Sequence, residues 1–206
     1  MSTVGDLSST LPCRVAMPPL PVSRLTVDHY VAMFRAGIVT EDDRIELLDG
    51  WLVPKAAKTP PHFVASQLVR DWLRRVKPEG WCGFASASLR LAASMPDPDA
   101  VVLRGEPRSY CDRWPEGEDV GLIVEVADAS LFCDQVVKKS IYAQAGIPCY
   151  WLVNLIDRRI EEYTEPVASG ENSDYRQGRD YSGDAEIALL LDGRHVANVA
   201  VRDLLP

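Results

Sequence analysis

No Cys-x-x-Cys pair occurs in this 206-residue chain, and its five cysteines, Cys13, Cys82, Cys111, Cys133 and Cys149, are odd in number and scattered. That argues against a disulfide framework or a thiolate zinc cage and leads us to expect reduced thiols in a cytoplasmic protein. No apolar run approaches the roughly 20 residues that span a bilayer. No basic start followed by an apolar core marks a secretory leader, so no membrane partner is expected. Histidine is scarce: His29, His62 and His195 have no paired spacing, which disfavours a histidine-rich metallohydrolase. Positive charge is short as well. Lys and Arg number 22 against 30 Asp and Glu, a net charge of −8, which does not invite nonspecific binding to a polyanion. A local basic surface remains open, from Arg70, Arg74, Arg75 and Lys77, from Arg104 and Arg108, or from Lys138 and Lys139. No internal repeat is present.

What is there is a globular mixture, 47% hydrophobic and 25% charged, enough for one domain with a sizeable core. Residues 1–24, rich in Ser, Thr and Pro, read as a flexible arm, and 25–206 as the single domain. Thr26 reads as a helix N-cap, followed by Asp28 and His29, with Gly37 as the stop. Asp49-Gly50 between apolar runs in "RIELLDGWLV" signals a hairpin with Ile45, Leu47 and Leu52 inward and Glu46 on the other face. A helix is predicted over 62–76, with Val64, Leu68, Trp72 and Val76 as its apolar stripe and Pro78 and Gly80 as its end. "WCGFASASLRL" and "AVVL" read as strands, residues 105–118 as a loop, and "VGLIVEVA" as a central strand covered on both faces. "DQVVKKSIYAQAG" reads as a helix, "CYWLVNL" as a buried strand and "RRIEEYTEP" as one nearer an edge. Residues 167–182 read as a loop or weak hairpin, and 186–206 as short strands with a tail. The order predicts an α/β or α+β domain with a mixed sheet.

One residue stands out. Glu125, inside "LIVEVA", cannot be buried as an uncompensated anion. It needs a cation, a proton or a set of donors, unless it reaches solvent at a strand end or pairs with an arginine. Asp99 opens the strand 100–103, and if the two strands are neighbours the two carboxylates converge. Two carboxylates, a backbone carbonyl (that of Val126) and waters suit Mg²⁺, with Mn²⁺ a possible substitute. Asp97 reads instead as turn chemistry between Pro96 and Pro98. Asp134, Lys138 and Tyr142, at i, i+4 and i+8, share one helix face. They form either an exposed ion pair of little energy or a lysine aimed at the carboxylates, where it would position water and offset charge on a phosphate. In that second arrangement Asp134 holds the Lys138 rotamer and Tyr142 packs beneath it. Lys139, about 100° further round, is expected to face solvent.

The pieces "RIELLDGWLV", "PPH", "PDPDAVVLRG", "VGLIVEVADASL" and "DQVVKKSIYAQAGIPCYWLVNLIDRRIEEY", in this order over residues 26–165, resemble the putative restriction endonuclease family, numerous in cyanobacteria and actinobacteria, of the PD-(D/E)XK nuclease superfamily. The resemblance implies a restriction-endonuclease-like central mixed β-sheet flanked by helices. It also implies an Mg²⁺-dependent endonuclease site acting on nucleic acid, with DNA the expected substrate. Asp99 matches the first motif and Glu125 the second. Ala127 stands where the superfamily has its lysine, and Lys138 is the matching position on the following helix. Glu46 matches an acidic residue that would complete the metal shell through water. His62 matches a family histidine, read from the residues alone as a solvent-touching helix start. Cys149 replaces a glutamate usual in "G-(I/V)-P-E-Y-W". That departure and the negative charge support a competing reading, a catalytically weak or inactive nuclease-fold protein acting as a nucleic-acid-binding or assembly module. A homodimer is expected for cutting two strands, with Trp151, Tyr163 or the last strands as candidate interface.

Overall fold

Local signals start each element, and burial decides how each is used. The computed structural model describes residues 23–76, 79–170 and 172–206. Residues 1–22 of the expected arm, and Lys77 and Pro78, lie outside the described residues. The Thr26 hydroxyl accepts the His29 amide at 3.1 Å, and the His29 ring accepts the Thr26 amide at 3.4 Å. This reciprocal cap opens α1 (Val27–Arg35). Asp49 and Gly50, at φ of 49° and 79°, turn the chain between β1 (Ile45–Leu48) and β2 (Trp51–Pro54). Leu47 is fully buried, but Leu52, expected to face the core, is 37% exposed. Met95 covers Leu47 by pairing with it.

Six strands form the central sheet in the order β3–β4–β5–β6–β7–β8. They are β3 (Trp81–Ala85), β4 (Ala100–Arg104), β5 (Val120–Ala127), β6 (Cys149–Asn154), β7 (Arg159–Val167) and β8 (Asp174–Ser182). Only β5 and β6 run parallel; the other neighbours are antiparallel. All eight residues of β5 and all six of β6 are buried, which is why both read as nearly continuous apolar runs. Leu122, Val124 and Val126 pack on the side of α2 (Pro60–Val76) and of the hairpin β9 (Glu186–Leu191) and β10 (Arg194–Ala200). Ile123 and Ala127 pack on the other side, with α3 (Lys139–Gln144), Leu48 and the 86–95 connection. Glu125, between them in the alternation, belongs to that second face.

Three expectations are corrected. The strand from Trp81 stops at Ala85 instead of running to Leu91, because Ser86 takes a left-handed φ of 52°. Of the stretch read as a loop or weak hairpin, residues 174–182 form a full nine-residue strand, β8, antiparallel to β7; its polarity is that of an outer strand with one edge and much of its surface in water. The inward face of α2 is His62, Ala65, Ser66, Val69, Trp72 and Leu73. Val64 of the expected stripe is 42% exposed, since the small Ala65 and Ser66 face inward beside His62.

Between β4 and β5 the register steps from Val102↔Leu122 to Leu103↔Val120, leaving Gly121 as a bulge. A Cβ there would meet the Trp81 ring at 2.5 Å and Leu191 Cδ2 at 2.7 Å. Gly121→Ala is therefore expected to cost about 1–3 kcal/mol, read as a fall in Tm of roughly 2–4 °C per kcal/mol for a domain of this size.

Candidate active site

The antiparallel register of β4 and β5, with Ala100 opposite Val124, brings Asp99 beside Glu125. The Asp99 amide donates to Glu125 Oε2 at 3.3 Å, and the Val126 amide donates to Asp99 Oδ2 at 3.0 Å. The carbonyl of a strand residue leaves on the same edge as its amide, so the Val126 carbonyl lies on the Asp99 side. That matches the Ala127 carbonyl turning the other way, to the Leu155 amide.

The helix supplies the cation. Its first part is a π-helical turn, Cys133–Lys138, a wider winding frequent at functional sites. Lys138 Nζ lies 3.0 Å from Glu125, 3.2 Å from Glu46 and 3.7 Å from Asp134. Tyr142, fully buried, shares Glu125 Oε1 with the lysine, its hydroxyl donating there at 2.7 Å. Ala127 is packed in the apolar cluster of this face, and the lysine arrives from the helix. Glu46 closes the group from the hairpin and accepts the Asp97 amide at 3.2 Å. Asp97 does more than turn the chain: its carboxylate takes the Lys55 ammonium and the Ser88 hydroxyl.

His62 is not a solvent-touching helix start. It is buried, with Nε2 3.3 Å from Asp99 Oδ2 and Nδ1 3.2 Å from the Ser66 hydroxyl. Because α2 begins against the end of β5, its first turn points into the site, and Thr59 bonds Asp128 there. Lys58, Thr59 and Ser66 were missed; "KTPPHFVAS" carries the spacing, but nothing in it says which face turns inward.

Three buried carboxylates, Glu46, Glu125 and Asp134, thus meet one buried ammonium, with the buried Asp99 beside Glu125. Burial pushes Glu125 up to about 8 and Asp134 up to about 6, against the pull of Lys138. Burial by itself would lower Lys138, but the carboxylates of Glu125, Glu46 and Asp134 hold it well above its ordinary value. Burial would likewise raise Asp99; His62, Lys58 and the Val126 amide bring it down to about 2. His62 is raised: burial opposes protonation, and Asp99 outweighs it.

Among the described residues no three His, Cys, Asp or Glu side chains form a metal cage. The donor set is two adjacent carboxylates and a carbonyl edge, all hard oxygen. That fits a cation keeping several waters, as Mg²⁺ does, and not Zn²⁺.

Beside this group, on the same face, Glu161 of β7 accepts Gln135 through both oxygens at 2.9 Å. It also accepts Asn154 at 2.8 Å, Arg159 at 3.0 Å and Tyr163 at 2.6 Å. Gln135 belongs to the π turn, so Glu161 ties that turn to the sheet. Burial would raise Glu161, but Tyr163, Asn154, Gln135 and Arg159 together bring it below the ordinary carboxylate range. Its contribution to stability is complete above the unfolded value of about 4.3 and fades as pH falls through the lower folded one. Glu161→Gln is expected to flatten the acid limb of stability against pH below about pH 5, read by urea unfolding at stepped pH.

Two expected features lie elsewhere. Cys149 begins β6 on the α2 face, buried with Trp151 and Val153, so the missing glutamate does not fall among the site residues. Lys139 does not simply face solvent: it pairs with Asp174 at 3.0 Å and sits 5.0 Å over the Tyr163 ring.

The model of the family described as "Putative restriction endonuclease", Uma2, matches residues 27–192. Among solved structures, a putative nuclease belonging to DUF820 from Anabaena variabilis shares the fold. The TM-score is 0.63 at 14% identity, covering 87% of this chain and 97% of that one. No curated protein matches the chain.

Proposed function

This chain belongs to the Uma2 putative restriction endonuclease family, and from that premise we propose that it is an Mg²⁺-dependent endonuclease hydrolysing phosphodiester bonds of DNA. The family and the fold support a nuclease; the cation and the substrate are our reading of the site. The observation that carries it is the meeting of Asp99, Glu125 and the Lys138 ammonium at the end of β5.

Asp99, Glu125 and the Val126 carbonyl are the groups that would hold Mg²⁺, or Mn²⁺ in its place, with Glu46 reaching it through water. Bound there, the ion would supply Lewis-acid polarisation of the phosphate and a water of lowered pKa. Lys138 orients the attacking water and offsets negative charge developing on the phosphate. Asp134 holds Lys138 in its rotamer, and Tyr142 fixes the Glu125 carboxylate. His62, itself braced by Ser66, orients Asp99, as partners behind metal ligands do.

The test is Mg²⁺-dependent cleavage of DNA by the wild type against Asp99→Ala, Glu125→Ala and Lys138→Ala. Equal activity in all four overturns the assignment. A readout free of catalysis is melting: at a hundredfold excess over Kd, Mn²⁺ should stabilise the protein by about 2.7 kcal/mol, and Asp99→Asn should remove the shift. No shift in the wild type would favour the binding or assembly module. The argument for that module from Cys149 is weakened, because Cys149 sits on the opposite face of the sheet.

One site per chain calls for two copies to cut a duplex, so the proposal includes a C2 homodimer. Trp151 is fully buried and cannot form its surface, and Tyr163 is stacked among Tyr150 and Tyr175. Among the described residues no helix is long and apolar enough to cross a membrane.

A further inference from the structure

We propose that Lys58 is the residue that takes hold of the substrate's phosphate, leaving Asp99 to do so; this rests on the nuclease reading above. Three cationic groups lie within ion-pair distance of the site carboxylates among the described residues: Lys58, His62 and Lys138. Lys138 is enclosed by Glu46, Glu125 and Asp134 and is almost wholly buried. Shut in by three carboxylates, it can act on a phosphate already seated in the site but is not placed to capture one from solution. His62 is buried against Asp99 and Ser66. Lys58 differs from both. Its ammonium touches Asp99 Oδ1 at 3.1 Å, yet its side chain is 53% exposed against 9% for Asp99. It stands on the irregular connection between β2 and α2, with no helix or strand bond to hold it.

Asp99 Oδ2 already takes the Val126 amide and His62, so Oδ1 is the oxygen open to exchange. A cation on Asp99 would compete with the Lys58 ammonium for it. The displaced ammonium, on a flexible four-carbon stem, stays within a side chain's reach of any phosphate drawn to the site. In a chain of net charge −8, one mobile positive charge at the mouth matters more than it would on a basic protein. The ligand class is the phosphodiester of a nucleic-acid strand, held through a non-bridging oxygen.

The experiment measures binding of a short labelled DNA duplex by fluorescence anisotropy in Ca²⁺, an oxygen-seeking dication, across a salt series, beside cleavage in Mg²⁺. Lys58→Ala should weaken binding about tenfold and lower the salt slope by about one. Lys58→Arg should keep most of the affinity. Arg176→Ala, an equal loss of charge on the outer strand β8, should change neither. The Mn²⁺ melting shift of Lys58→Ala should equal or exceed that of the wild type, since Asp99 Oδ1 is freed. Unchanged affinity and slope in Lys58→Ala, or a reduced Mn²⁺ shift, overturns the inference while a cleaving wild type keeps the nuclease reading. A wild type that neither binds nor cuts DNA overturns both.

Discussion

Lys138→Met is expected to destabilise the protein by about 3–5 kcal/mol and to abolish cleavage. Lys138 Nζ lies within 4 Å of Glu46, Glu125 and Asp134, each nearly inaccessible to water. Methionine fills a similar volume, so the loss comes from charge and not from a cavity. Removing one partner of a buried ionic group leaves the others uncompensated, and that penalty is of this size. A second variant separates stability from chemistry. Adding Glu125→Gln removes one of the stranded carboxylates, so the double variant should regain part of the lost stability and none of the activity. Urea unfolding in EDTA and a Mg²⁺ cleavage assay measure the two. A single-variant loss below about 1 kcal/mol, the scale of a surface pair, would mean the cluster is solvated.

Asp99→Asn is expected to lower kcat by at least about a thousandfold, equivalent to roughly 4 kcal/mol of transition-state stabilisation. The change is isosteric, and the amide oxygen can still accept from Val126. What is lost is the negative charge that would hold the cation. Stability in EDTA should fall less than activity: the half-exposed Lys58 pair contributes little, and the larger share of the loss comes from the buried His62 facing Asp99 Oδ2. Glu125→Gln should show the contrast more sharply: burial already opposes ionisation of Glu125, and Lys138 keeps Glu46 and Asp134, so stability in EDTA should hold while cleavage is lost. Sites that trade stability for function behave this way. An Asp99→Asn protein that cuts DNA at the wild-type rate overturns the role of Asp99.

The hairpin at Asp49-Gly50, the capped start of α1 and the buried strand around Glu125 were legible because each is a local signal. Turn residues, a capping side chain and an unbroken apolar run act over a few residues. The inward face of α2 was not legible. Its apolar residues suggest one stripe, but His62, Ala65 and Ser66 face the sheet because the site and close packing need them there. Strand β8 was missed because an outer strand carries polar residues that resemble a loop. Glu161 was passed over in "RRIEEY", where alternation shows a face but not which partners wait on it.

By itself the sequence determined that an isolated carboxylate in "LIVEVA" must find compensation, since an uncompensated buried charge is too costly. It also determined that Asp134, Lys138 and Tyr142 share a face. Family resemblance gave Glu46 a place in the metal shell through water and pointed to His62 without giving it a task. Only the tertiary structure decided the rest. The register of β4 on β5 brings Asp99 and Glu125 together across a separation of 26 positions in the chain. The π turn aims Lys138, α2 turns His62 inward, and the 55–59 connection leaves Lys58 at the mouth. Those placements depend on long-range pairing and on which face is buried, and neither quantity is written in the spacing of any one segment.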